Sequence, residues 1–127
     1  MPWLSLLAVG AGAVLGAWLR WALGLLLNPV FPTLPLGTLA ANLFGGFVIG
    51  IMMSGADPLG LSPAARLFII TGFLGALTTF STFSAETMLL LLRAQYAWAA
   101  AAVAVHVCGS LLLTGTGIAL VRLFVGR

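Results

Sequence analysis

Thr71-Gly72-Phe73-Leu74-Gly75-Ala76-Leu77-Thr78-Thr79-Phe80-Ser81-Thr82-Phe83-Ser84-Ala85-Glu86 lies in the third of four long apolar runs. Two glycines are followed by hydroxyl residues at 78, 79, 81, 82 and 84. Glycine lowers helix propensity, and Ser and Thr compete for backbone hydrogen bonds, so this pattern predicts a broken helix. A helix over 63–93 has its midpoint near residue 78. The break therefore falls at mid-membrane if the helix spans a bilayer. Irregular backbone at that depth is tolerated only where it is buried in protein or lines a cavity. Discontinuous helices at the midplane are a recurring way to build ion sites.

The rest of the chain makes the bilayer unavoidable. Its 127 residues are 62% hydrophobic and only 6% charged, and its mean hydropathy is +1.23. Soluble domains carry about 25% charged residues. The composition specifies an integral membrane protein; its long apolar runs make it all-α and multi-pass, and the cell (plasma or inner) membrane is its expected location. Five arginines, no lysine and two acids make no basic face for nucleic acid. A single cysteine, Cys108, excludes an intrachain disulfide and any multi-cysteine metal centre. One His, one Cys and two acids assemble neither a nucleophile–base pair nor a ligand cluster, so the chain is not expected to be an enzyme.

Prolines and charges divide the sequence into spans. Pro29, Pro32 and Pro35 cannot continue a helix and mark a loop. Asp57 to Pro63 is a second break, with Ser62 as N-cap and Pro63 at the first helical position. Arg93-Ala94-Gln95 is a short polar turn. A crossing needs about 20 apolar residues. Four helices result, at about 3–27, 37–55, 63–93 and 96–124, forming one transmembrane domain over 1–127. Ala11-Gly12-Ala13 imitates a signal cleavage site, but it has no positively charged leader and its apolar run continues, so the segment is expected to be retained. An even number of spans puts both termini on one side with Arg66, Arg122 and Arg127, offset by Asp57, while Arg93 lies opposite. That is a weak bias by the positive-inside rule, and it leaves two readings open: cytoplasmic termini, or a chain that inserts both ways.

Small residues recur four apart at Gly12/Gly16 and Gly46/Gly50, a spacing that lets helix backbones approach closely. A tightly packed bundle of four has no room for a pore of its own, so a transport path implies an interface between copies and a homo-oligomer, most simply a dimer. His106, Ser110 and Thr114 form one stripe at i, i+4 and i+8. Thr38 and Asn42 share a face. Two roles fit Asn42 equally, interhelical glue and a ligand contact. Phe80 and Phe83 stand on adjoining faces amid hydroxyls, where positive ring edges can meet an anion. Arg20 and Glu86 are the charges deep in the sequence. Mutual pairing, snorkelling of Arg20, and an anion-attracting vestibule are all open to them.

These residues resemble those of the Fluc (CrcB-like) fluoride channels. The landmarks are Gly16-Ala17-Trp18-Leu19-Arg20-Trp21, Gly37-Thr38-Leu39-Ala40-Ala41-Asn42-Leu43-Phe44-Gly45, the 71–84 run ending Thr-Thr-Phe-Ser-Thr-Phe-Ser, and His106 with Ser110. The resemblance covers essentially the whole chain. It implies an antiparallel, dual-topology homodimer with two fluoride pathways, passive export of cytoplasmic fluoride, and a structural sodium ion at the dimer centre. By position it implies that Phe80 and Phe83 are ring-edge fluoride contacts and Asn42 a polar pore contact. Ser110 and Thr114 belong to a polar track and Arg20 to a vestibule. The backbone carbonyls of Gly75 and Thr78 hold the sodium. Glu86 is hard to place, because a carboxylate repels an anion.

A small proton-coupled multidrug exporter is the competing class. It calls for a carboxylate in the first span, where this chain has Arg20. A non-transporting assembly subunit would explain the glycines but not the mid-span break.

Overall fold

The computed structural model describes residues 2–126, so Arg127, counted above toward orientation, lies outside the described residues. Among the described residues four helical stretches are long and apolar enough to cross a membrane: Pro2–Val30, Leu36–Gly55, Pro63–Leu92 and Tyr96–Val125. The first comprises α1 (Pro2–Leu27) and a short 3₁₀ turn, Asn28–Val30. Helix α2 is Leu36–Gly55. The third stretch holds two helices, α3 over 63–77 and α4 at Phe80–Leu92. Helix α5 is Tyr96–Val125.

Local chemistry sets the helix ends. Pro35 precedes α2 and offers no side-chain cap. The Asn28 side chain does this from the preceding loop, its Oδ1 accepting from Gly37 N–H at 2.8 Å and Thr38 N–H at 3.3 Å. Ser62 caps α3, its Oγ accepting from Ala65 N–H at 3.2 Å with Pro63 next in line. Arg66 holds the α2–α3 loop closed by donating from Nε to Leu61 O at 3.0 Å and pairing with Asp57 at 2.7 Å. Of the arginines grouped with the termini, Arg66 is thus locally neutralised, which weakens the orientation bias further. Ala94, in the turn before α5, has φ 57°, the only positive φ outside glycine among the described residues.

The helices meet through glycine. A Cβ on Gly12 would lie 2.8 Å from Phe73 N and would clash with Phe68 O, and one on Gly16 would strike Phe73 O. Gly72 answers from α3, where a Cβ would lie 3.0 Å from Ala13 N. The second seam joins α2 to α5. A Cβ on Gly50 would lie 2.9 Å from the Thr114 carbonyl carbon, and one on Gly117 2.9 Å from Ile51 N. Both pairs of small residues therefore serve packing within one chain, where close backbone approach replaces interlocking side chains.

Helix α3 is irregular along its length, which its sequence does not announce. After the α-helical Pro63–Arg66, Leu67–Leu74 takes up wider π-type pairing, and Gly75–Leu77 closes as one α turn. The buried apolar centre is small, consisting of Ala41, Leu74 and Leu77 with Leu19, Leu23, Val48, Ile49, Ile69 and Phe73 around it. Most large apolar side chains, among them Trp3, Trp18, Trp21, Leu112 and Phe124, face outward. Lipid is the solvent that makes such a surface stable.

Candidate functional site

Helical backbone stops at Leu77 and resumes at Phe80. Between them Thr78 (φ −79°, ψ 150°) and Thr79 (φ −148°, ψ 116°) are extended. Thr79 N–H, which a continuous helix would pair with Gly75, donates instead to Asn42 Oδ1 at 2.7 Å. Asn42 Nδ2 returns a bond to Thr79 O at 3.0 Å. An extended residue presents its N–H and C=O on the same side, and the carboxamide matches both, as a paired strand residue would. Thr79 then caps α4, its Oγ1 accepting from Thr82 N–H at 3.1 Å. Thr82 and Ser81 hydroxyls cluster on that oxygen at 3.1 and 3.3 Å.

These exchanges leave carbonyls without their ordinary helical donors. Gly75 O loses Thr79 N–H to Asn42, and Thr78 O loses Thr82 N–H to the Thr79 hydroxyl. The Ala76 carbonyl lies between them in sequence and accepts from Arg20 Nε at 2.9 Å. Arg20 is therefore not the partner of Glu86. Their pairing, left open by the sequence, does not occur: Arg20 is engaged at Ala76, and Glu86 Oε1 accepts from Thr38 Oγ1 at 2.6 Å.

Two cavities flank the break, and a third lies further along α4. A groove of about 550 Å³ opens between α2, α3, α4 and α5, lined by Asn42, Thr78, Phe80, Phe83, His106 and Ser110 among others, and by no acidic residue. A second cavity, about 490 Å³, is bordered by Arg20, Trp21, Asn28, Thr38 and Thr82. Thr79 borders both. Glu86 and Arg93 line a third, about 160 Å³.

In the groove the ring centroids of Phe80 and Phe83 are 5.6 Å apart in an edge-on arrangement. Phe80 is 78% exposed and Phe83 is buried. Buried His106 lies 4.5 Å, centroid to centroid, from Phe83 and receives Asn42 Nδ2 at 3.1 Å from its Nδ1. Thr114 Oγ1 donates to Gly46 O at 2.9 Å across the α2–α5 seam, not back to its own helix. Own-helix bonding is what Thr78, Thr87 and Thr116 do.

The fold thus gathers Phe80, Phe83, Asn42, Ser110, Gly75 and Thr78 around one groove. Arg20 borders the second cavity, and Thr114 is engaged at the seam beside the groove. Of the two roles open to Asn42, the interhelical one is visible, since its amide clamps Thr79. Thr79 and Thr82 carry polar wall signalled only by the density of hydroxyls in their run, and Thr38, legible as sharing a face with Asn42, joins them at the second cavity. His106 was legible only as part of a stripe. No group of three or more His, Cys, Asp or Glu comes together among the described residues.

Residues 7–118 match the model of the family described as CrcB-like protein, Camphor Resistance (CrcB). The chain is 61% identical over 119 residues to a fluoride-specific ion channel FluC of Nitrosospira multiformis, covering 93% of both chains. Identity to a protein of the same name from Aromatoleum aromaticum is 58% over 116 residues, covering 91% of this chain and 88% of the relative. A Pseudomonas putida protein of that name is 54% identical over 125 residues, covering 97% and 98%.

Proposed function

This chain belongs to the CrcB-like family, and from that premise we propose that it is a fluoride-selective channel through which cytoplasmic fluoride leaves the cell passively. The observation that carries the reading is the groove. Its wall pairs two phenylalanines edge to face beside hydroxyl groups, and no carboxylate lines it. Positive ring edges and O–H donors suit a small anion, and nothing there repels one. The Glu86 carboxylate, which would, borders a different cavity and is held by Thr38. A proton-coupled exporter is disfavoured by the names of the relatives and by Arg20 in the first span.

In this reading Phe80, Phe83 and Ser110 contact the ion, and Thr114 continues the polar track. Arg20 attracts the anion into the second cavity, and Asn42 holds the wall. The high exposure of Phe80 fits a groove completed by a second, antiparallel copy, the break standing at mid-membrane. A two-fold axis beside Gly75 and Thr78 would bring two such carbonyl pairs together. A buried carbonyl without a donor costs about 1–3 kcal/mol, so four of them favour a cation. Neutral carbonyl oxygens suit a singly charged ion such as sodium. The residues present fit that group.

The reading is tested by anion efflux from liposomes loaded with the purified protein. Rapid fluoride release with negligible chloride release is expected, and equal release of both would overturn the selectivity. Phe80→Ile and Phe83→Ile keep bulk but remove the ring edge. Each is expected to slow fluoride flux about tenfold or more, the equivalent of about 1.4 kcal/mol. Replacing all sodium with a bulky organic cation is expected to abolish flux, and unchanged flux would remove the ion. For topology, a cysteine at the C-terminus in a Cys108-free background should label partially from each face.

A further inference from the structure

We infer that His106 is a positioning residue of the groove, working as a neutral imidazole that carries its proton on Nε2 and holds both the Asn42 clamp and the Phe83 ring in place. The inference rests on the channel reading for its flux arm only, because the tautomer itself follows from hydrogen-bond chemistry.

The orientation of Asn42 is not free. Thr79 N–H can only donate, so the atom 2.7 Å away must be the amide oxygen. Thr79 O can only accept, so the atom 3.0 Å away must be the amide nitrogen. Flipping the carboxamide would set donor against donor and acceptor against acceptor. One Nδ2 hydrogen serves Thr79, and the other faces His106 Nδ1 at 3.1 Å. Nδ1 must then be an acceptor, which places the ring proton on Nε2. An Nδ1–H tautomer, or an imidazolium, would point N–H at N–H.

The second ring nitrogen agrees with this assignment. Among the described residues no buried side-chain nitrogen or oxygen lacks a partner, and Nε2 has none in the protein, so it keeps an opening, and the groove is the cavity His106 lines. The same ring packs on Phe83 with its centroid at 4.5 Å and the planes 36° apart. His106 therefore links the residue that holds the backbone break to a ring that lines the groove. Without the acceptor, Asn42 keeps a donor unpaired in an apolar setting and the clamp loosens. Without the ring, Phe83 loses the surface that fixes its edge.

This is the chain's single histidine, so ¹⁵N-histidine labelling gives the imidazole signals of one residue. In lipid at neutral pH the expected spectrum shows a bare Nδ1 and a protonated Nε2. A protonated Nδ1 overturns the proposal. Two variants separate the ring from its acceptor. His106→Asn restores an acceptor near Nδ1 but not the ring, and is expected to lower fluoride flux a few-fold, the part that the Phe83 contact contributes. His106→Phe restores the ring but not the acceptor and is expected to lower flux about tenfold, with a lower melting temperature than His106→Asn. Equal flux and equal melting temperature in the two variants would overturn the acceptor role even if one expresses poorly. If the unaltered protein passes no fluoride, the channel reading fails by itself, and the tautomer and the order of melting temperatures still decide the role of His106.

Discussion

The α2–α5 seam and the break at Thr78–Thr79 solve one problem in opposite ways. In both, two backbones come close in a medium without water to hydrogen-bond stray polar groups. At the seam every helix keeps its own hydrogen bonds, and glycine simply removes the side chains that would hold the helices apart. At the break the helix gives up its ladder, and Asn42, Thr79 and Arg20 supply the missing partners. The seam is built chiefly from absences, with the Thr114 hydroxyl on Gly46 O added to it, and is tolerant only of small residues. The break depends on particular side-chain atoms and leaves the Gly75 and Thr78 carbonyls without their helical donors.

If that contrast holds, the largest stability effect should come from the clamp. Asn42→Ala orphans both backbone groups of Thr79, at about 1–3 kcal/mol each, and is expected to abolish fluoride flux as well as lower the melting temperature. Asn42→Asp keeps the acceptor for Thr79 N–H but lacks the donors, so its melting temperature should fall between the two. Parent-like stability of Asn42→Ala would mean that the break satisfies itself. Gly50→Ala comes next. Its methyl would meet the Thr114 backbone, which cannot swing aside, and overpacking of this kind costs about 1–3 kcal/mol. The loss should appear in thermal unfolding, and Gly115→Ala, where a Cβ meets nothing within 4 Å, is the control with little effect.

Smaller effects test whether side-chain capping matters away from the break. Asn28→Ala removes the donated cap of α2 and should cost about 1 kcal/mol in a chemical or thermal melt, with flux retained. Ala94→Gly should move stability the other way. Ala94 adopts φ 57°, a left-handed conformation that glycine reaches without strain, so a gain of about 0.5–1 kcal/mol is expected.

Much of the architecture was legible because membranes impose simple rules. Long charge-poor runs separated by prolines announce spanning helices, since each needs only length and apolarity. Glycines four apart announce a packing face, because helical periodicity fixes which residues share a side. The site was legible as a region. The hydroxyl-rich run from Thr78 to Ser84 drew attention for the right local reason, competition with backbone bonding. Its partners were not legible. Periodicity says that Thr38 and Asn42 share a face, but not that one meets Glu86 and the other Thr79. Nor does it reveal the π-type stretch at Leu67–Leu74, where wider turns lie directly on α1.

By itself, then, the sequence determined a membrane protein of four spanning helices with close-packed glycine faces and a polar, glycine-rich stretch in the third. Each of these follows from composition or from contacts a few residues apart. The tertiary structure decided which donor meets which acceptor. Asn42 lies 37 residues from Thr79 and 64 from His106, and Arg20 lies 56 from Ala76. Such pairs depend on how helices cross and rotate against one another, which no local propensity encodes. Once the glycine seams fix those rotations, the hydrogen-bond partners follow, because a polar group that lipid cannot satisfy must find one within the protein.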